Sequence, residues 1–422
     1  MKTLALSWCA TRLILSRVVS LALVLCAILA IFAINAGAET FKIIYRLTYS
    51  VEGNSPTSPL LRDSAGNLYG TTEDGANPTC ADGCGAAFEL SPTSQGGWKN
   101  TVLHKFTGGD DGNDIYGGLA MDSAGNLYGT AANGGKYGQG NVFEISPLPN
   151  GGWKFAVLYP FQGLSDGGNP THGVILDASG NLYGVSNTTV FELSPVAGGG
   201  WKHSVLHHFA QDQEPAGVTF DASGNIFGAT SAGGISNPNC FNGCGTVYEL
   251  TKGTTYWKYK SLYSFTGGAD GGVPTGQVIL DALGNIYGIT NLGGNVNDCS
   301  NTGCGTVFEL TSSGGVWSES VLFAFNYTDG SQPNGPLVFD ASGNLYGTAH
   351  FDNANNCGCG VVYELSPGSG GWTQTVLHTF KGGADGKFPG AGLIPDGSGS
   401  YYGTTQSGGN TTQAGTIFFL TP

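Results

Sequence analysis

The stretch DSAGNLYGTT runs from Asp63 to Thr72. Close copies start at Asp122 (DSAGNLYGTA), Asp177 (DASGNLYGVS) and Asp340 (DASGNLYGTA), and looser ones at Asp221, Asp281 and Asp396. The shared Asp-x-x-Gly-Asn has the chemistry of a tight hairpin turn. Asp bonds backbone two residues on, Gly takes positive φ, and Asn tolerates it. Seven units spaced 44 to 60 residues apart mark a solenoid or a propeller.

Each unit carries four short runs with strand character. In the second these are GLAMD (118–122), NLYGT (126–130), VFEIS (142–146) and WKFAVLYPF (153–161). They are rich in β-branched and aromatic residues and bounded by Gly, Pro, Asn and Asp. Beyond residue 38 no segment sustains a helical period. The expectation is an all-β, seven-bladed β-propeller with four-stranded blades. The last unit ends at TIFFLTP without a fourth strand, and FKIIYRL (41–47) aligns with the fourth strand NTVLHKF (100–106). The N-terminal strand should therefore close the last blade and leave no open edge. Glu89, Glu144, Glu192 and Glu249 precede Lys99, Lys154, Lys202 and Lys258 across a hairpin, a pattern that predicts cross-strand ion pairs.

Hydrophobic residues make up 40% of the 422 and charged residues only 11%, which suits a packed core and argues against disorder. Glycine is abundant, at 72 residues, but has no three-residue period, so collagen is excluded. A net charge of −14 argues against a nucleic-acid partner. Residues 1–38 have the pattern of a signal peptide: Lys2, Arg12 and Arg17, a mostly apolar run from Val18 to Ile34, and small residues up to Ala38. An uncleaved anchor is the alternative. The expected domain is 39–422, secreted, periplasmic or at the cell surface. No membrane span is expected after cleavage and no C-terminal anchor is evident. A monomer is expected. Eight cysteines remain, in close pairs in four different repeats, and are expected to form disulfides Cys80–Cys84, Cys240–Cys244, Cys299–Cys304 and Cys357–Cys359.

The unit W-K-x-x-V-L-H-x-F-x-G-G-x-D-G-x-x-P … D-x-x-G-N-L-Y-G-T-T … G-x-V-F-E-L-S-P resembles the tandem repeat of the bacterial GloVer-containing, choice-of-anchor proteins. The resemblance implies export and placement at or beyond the cell surface. It implies no particular activity.

Three sets of residues are candidates for chemistry. Glu52, Asp111, Asp166, Asp270, Asp329 and Asp385 each stand eleven residues before a hairpin Asp. As a ring at the tunnel mouth they would hold Ca²⁺ or a cationic or sugar ligand; as Asp-Gly turns they are structural. Asp110 and Asp114 add carboxylates to a local Ca²⁺ candidate, DDGND. The repeat breaks in HSVLHHFAQDQEP, where His208, Asp212 and Glu214 form a candidate acid–base group. His207 shares its position with His104 and His378 and is assigned to the scaffold. The leading expectation is a non-catalytic binding or scaffold propeller, recognising polysaccharide or cell-surface partners. The alternatives are a polysaccharide lyase, hydrolase or lactonase with a metal or His/carboxylate site at the tunnel mouth, and a structural surface-layer component.

Overall fold

The hairpin aspartate organises each blade. Asp63 Oδ1 accepts the backbone N–H groups of Ala65 and Asn67 at 2.9 and 2.8 Å, and its Oδ2 accepts Asn67 Nδ2 at 2.8 Å and Tyr69 Oη at 3.2 Å. Gly66 supplies the positive φ of +87°. The same four bonds recur around Asp122, Asp177, Asp281 and Asp340.

The computed structural model describes residues 40–163, 165–210, 213–352 and 357–422. The signal segment 1–38 and Asp212 therefore lie outside the described residues. The described strands form seven four-stranded antiparallel sheets, each one blade of a β-propeller. In blade 1, from the channel outward, the strands are Leu61–Arg62, Leu68–Thr72, Ala86–Pro92 and Trp98–Lys105. Residues 41–420 make one compact unit. Blade 7 has the order Leu393–Pro395, Tyr401–Thr405, Thr416–Thr421, Thr40–Arg46, so the N-terminal strand closes the ring as the sequence predicts.

A glycine in every second strand has a packing reason. Gly70 faces Phe88 on the third strand, and a Cβ there would meet the Phe88 ring at 2.6 Å. Gly129 stands over Phe143 in the same way. The tyrosine before that glycine reaches into the next blade: Tyr69 packs edge-on against Trp153, Tyr128 against Trp201, and Tyr183 against Trp257. Tyr402 against Trp98 carries this contact across the closure. Each apolar cluster joins two neighbouring blades, as where Tyr69 and Ala87 pack with Leu127, Phe143 and Ile145. Burial of apolar area between blades is the main force holding the ring.

The expected Glu–Lys pairs are corrected by the register. Glu89 lies opposite Thr101 and Lys99 opposite Ser91. Glu144, Glu192 and Glu249 are likewise displaced by two residues from Lys154, Lys202 and Lys258. Each of these glutamates accepts a hydroxyl two residues on instead, as from Ser91 Oγ at 2.7 Å and Ser146 Oγ at 2.6 Å. The hairpin loop is longer than the pairing required, which shifts the lysine out of reach. The four disulfides join the predicted cysteines.

Candidate functional site

The inner strands of all seven blades surround a channel containing a cavity of about 930 Å³. Its rim is built by a repeated kink. In each blade one non-glycine residue at or ahead of the inner strand has a left-handed backbone: Ser55, Asp114, Asn169, Glu214, Val273, Gln332 and Phe388, with φ between 44° and 63°. In six blades the next residue is proline; in blade 2 it is Ile115. Such a conformation is costly for non-glycine residues, on the order of 1–3 kcal/mol, and most so for β-branched Val273. In blades 1, 2, 4 and 7 the carbonyl of the kink accepts the N–H ten positions after the hairpin Asp, whereas in blade 3 Asn187 N–H goes to Gly168 O. Glu73 N–H donates to Ser55 O, Ser231 to Glu214 O and Gln406 to Phe388 O, at 3.0–3.2 Å.

The rim differs from blade to blade. Over blades 1 and 2 it is acidic. Burial first, then the neighbouring charge of Asp74, pushes the Glu73 carboxyl up to about 7. Burial, then Asp114 and Asp82, pushes Asp74 up to about 6. Asp114 accepts Asn133 Nδ2 at 2.5 Å. Tyr116, on the channel wall, is raised by burial and by Glu73. On blade 3, His172 faces the channel; burial holds its imidazole down at about 4, and its Nδ1 lies 3.1 Å from Thr171 Oγ1. On blade 4, exposed Glu214 accepts Ser231 Oγ at 3.1 Å. Thr57 and Thr275 line the channel with buried Oγ1 atoms that have no hydrogen-bond partner among the described residues.

The six repeated carboxylates are not brought together on this channel wall. Each closes a turn after its own outer strand. Asp111 meets His104 Nε2 at 3.0 Å, Asp166 accepts Tyr159 Oη at 2.7 Å, and Asp270 accepts Tyr263 Oη at 3.0 Å. Glu52 accepts Tyr45 Oη at 2.8 Å, Asp385 meets His378 Nε2 at 3.2 Å, and Asp329 accepts Asn326 N–H at 2.9 Å. Burial opposes the charge on Asp111 and Asp385, but hydrogen bonds, from the histidines foremost, hold both below the usual carboxylate range. Burial raises Asp329. In DDGND the carboxylates separate: Asp110 is exposed, Asp111 turns back to His104, and Asp114 joins the rim. Among the described residues no three His, Cys, Asp or Glu side chains converge to hold a metal ion.

His208 sits exposed at the end of an outer strand, opposite Thr189, while Glu214 belongs to the rim. His207 stacks on Tyr259 at 4.2 Å, as His104 stacks on Phe155 and His378 on Phe41, consistent with a scaffold position.

The match to the Gloeobacter/Verrucomicrobia repeat covers residues 30–189 and again 185–418. The chain belongs to this family. The first match spans three of the hairpin aspartates, Asp63, Asp122 and Asp177, and the second the other four. No match was found among curated proteins. Among solved structures the chain is similar to a streptogramin B lyase, with TM-score 0.57, 13% identity, and coverage of 90% of this chain and 97% of that one. It is similar to the virginiamycin B lyase of Staphylococcus aureus, with TM-score 0.55, 13% identity, and coverage of 91% and 100%. A gluconolactonase from Xanthomonas campestris matches with TM-score 0.42, 13% identity, and coverage of 74% and 87%. At these identities the likeness is one of fold.

Sequence reasoning named Asp114 and Glu214 but missed the rest of the rim. The signal was in the column ten residues after the hairpin Asp: Glu73, Ala132, Asn187, Ser231, Asn291, His350 and Gln406. Six different residue types fill this column in seven otherwise regular units. His172 shows the same signal, standing where most other blades have Ser, Gly or Ala.

Proposed function

We propose that this is an exported, non-catalytic binding propeller whose central channel holds a hydroxyl-rich ligand, with carbohydrate as the chemical class. The observation that carries the reading is the pair of unpartnered hydroxyls, Thr57 Oγ1 and Thr275 Oγ1, in the wall of the cavity. A buried hydroxyl without a partner costs about 1–3 kcal/mol. A polyol or water entering the channel supplies the missing bonds, and the small wall residues leave room for a sugar ring. Tyr116, His172 and Glu214 stand on three different blades, and the hydrogen bonds of His172 and Glu214 go to Thr171 and Ser231 rather than to each other. That arrangement supports binding over a preassembled acid–base pair. Disulfides fit an oxidising compartment. No described helix is long and apolar enough to cross a membrane.

A second reading is lyase or lactonase chemistry at the same channel. What favours it is His172, a histidine on the channel wall where the other blades carry Ser, Gly or Ala. One experiment separates the two. The exported protein is tested against soluble and insoluble polysaccharides, recording retention and released product, beside Thr57→Val and Thr275→Val. Retention without product, weakened about fivefold by either valine, is the expected result. Product formation abolished by His172→Ala would replace the binding reading with the catalytic one. Absence of both retention and product would leave a protein partner or a surface-layer role.

A further inference from the structure

On the rim between blades 6 and 7, three nitrogens converge on one glycine. An ideal Cβ on Gly390 would lie 2.8 Å from Gln406 Nε2, 3.3 Å from Asn334 Nδ2 and 3.4 Å from His350 Nδ1. Gly390 and Asn334 line the channel; His350 and Gln406 flank the glycine from the ends of the second strands of their blades.

Glycine is not needed here for backbone reasons, because Gly390 lies outside the left-handed region. Its lack of a side chain lets the three nitrogens crowd so close to the glycine that a Cβ would have to push them aside. The corresponding positions carry Thr57, Tyr116, Thr171, Thr275 and Asn334 in five other blades. The donors are also fixed and unspent. Asn334 Oδ1 accepts Gly335 N–H at 2.9 Å, which turns its Nδ2 toward the recess. His350 is held by stacking on Phe388, 5.0 Å between centroids and 10° from parallel, and by an edge contact to Phe351. Its Nδ1 is buried with no partner. Burial holds this imidazole down at about 4, so it is neutral at ordinary pH and free to carry its proton on Nδ1.

We propose that Asn334, His350 and Gln406 over Gly390 form a subsite that seats a carbonyl-type oxygen of the channel ligand. This rests on the reading of the channel as a binding site and narrows its ligand. Two kinds of sugar carry such an oxygen: an N-acetylated sugar, through its amide carbonyl, and a uronate, through its carboxylate. A plain neutral sugar lacks it. Buried donors left unpaired by the wrong ligand give the discrimination.

The test uses the exported full chain with isotopically labelled histidine, titrated separately with acetamide and with acetate at constant ionic strength. His350→Phe identifies the His350 ring signals, and the His172 ring serves as an internal reference. A saturable shift of His350 with either probe is expected. Gly390→Val should weaken it by about tenfold or more by filling the recess, and Gln406→Met by about fivefold by removing one hydrogen bond. A response to acetamide alone points to an N-acetylated sugar, and to acetate alone, a uronate. No shift with either probe overturns the subsite. So does a shift that persists unchanged in Gln406→Met, a variant that leaves the backbone and Gly390 intact.

Calorimetry with chitotriose, trigalacturonate and cellotriose then tests the channel reading by itself. Failure of all three, with His350 still responding to a small probe, would remove carbohydrate as the ligand and leave the subsite standing.

Discussion

The two ends of each second strand obey opposite rules. At one end all seven units place an aspartate, and its turn is copied almost bond for bond. About ten residues on, the same strands end in Glu73, Ala132, Asn187, Ser231, Asn291, His350 and Gln406. The first end solves one problem seven times: reversing the chain with its polar groups paired. The second lies at the rim, with Asn187 and Ser231 on the channel wall, and seven identical residues there would make a symmetric ring unable to fix an asymmetric ligand. The difference separates what folds the ring from what it can recognise.

The largest effect should therefore come from the copied end and should spare the channel. Asp177→Ala removes bonds to Ser179 N, Asn181 N, Asn181 Nδ2 and Tyr183 Oη. The expected loss is about 3 kcal/mol in urea unfolding, since several of these bonds reach a charged acceptor. Burial opposes that charge, but hydrogen bonds from Asn181 and Ser179 prevail and hold Asp177 below its ordinary value. Its contribution is thus present above the unfolded value near 3.8 and is lost as pH falls through the lower folded value. The variant should lack that part of the acid dependence. Loss of ligand retention with unchanged stability would break the comparison, because it would make the turn part of the site.

This contrast also explains how much could be read from the chain. The Asp-x-x-Gly-Asn turn is local, so Asp63 and Gly66 disclose the hairpin directly, and the count of such turns discloses the blades. Closure by Thr40–Arg46 was legible because its sequence copies the outer strands. The Glu–Lys pairing failed because register depends on the loop geometry beyond each strand. The recess at Gly390 was hidden for a different reason. Asn334 and His350 lie in two strands of blade 6 and Gln406 just beyond a strand of blade 7, and only the packing of one blade on the next brings them together.

An intermediate effect is expected on the acidic arc. Glu73 at about 7 and Asp74 at about 6 lie above their unfolded values of 4.5 and 3.8. The sign is opposite to that of Asp177: stability is fully present below the unfolded values and is lost as pH rises through 6 to 7. Glu73→Gln with Asp74→Asn should match the parent near pH 4. At pH 8 it should exceed it by about 1 kcal/mol, a figure discounted because both groups are only half-buried. Parallel curves across that range would show that the two carboxyls are not held against each other at the rim.

The smallest effect tests the two sides of the rim against one another. The recess over Gly390 offers neutral donors, whereas Glu73, Asp74 and Asp114 place negative charge over blades 1 and 2. Acetate therefore reaches its donors through an unfavourable field, and acetamide does not. Raising salt from about 20 to about 200 mM shortens the screening length from about 20 to about 7 Å. Acetate affinity at His350 should then rise about twofold while acetamide affinity stays level. In Glu73→Gln with Asp74→Asn the acetate gain should shrink, because the charges being screened are gone. A fall in acetate affinity with salt would mean that a cation, not a set of neutral donors, governs that side of the channel.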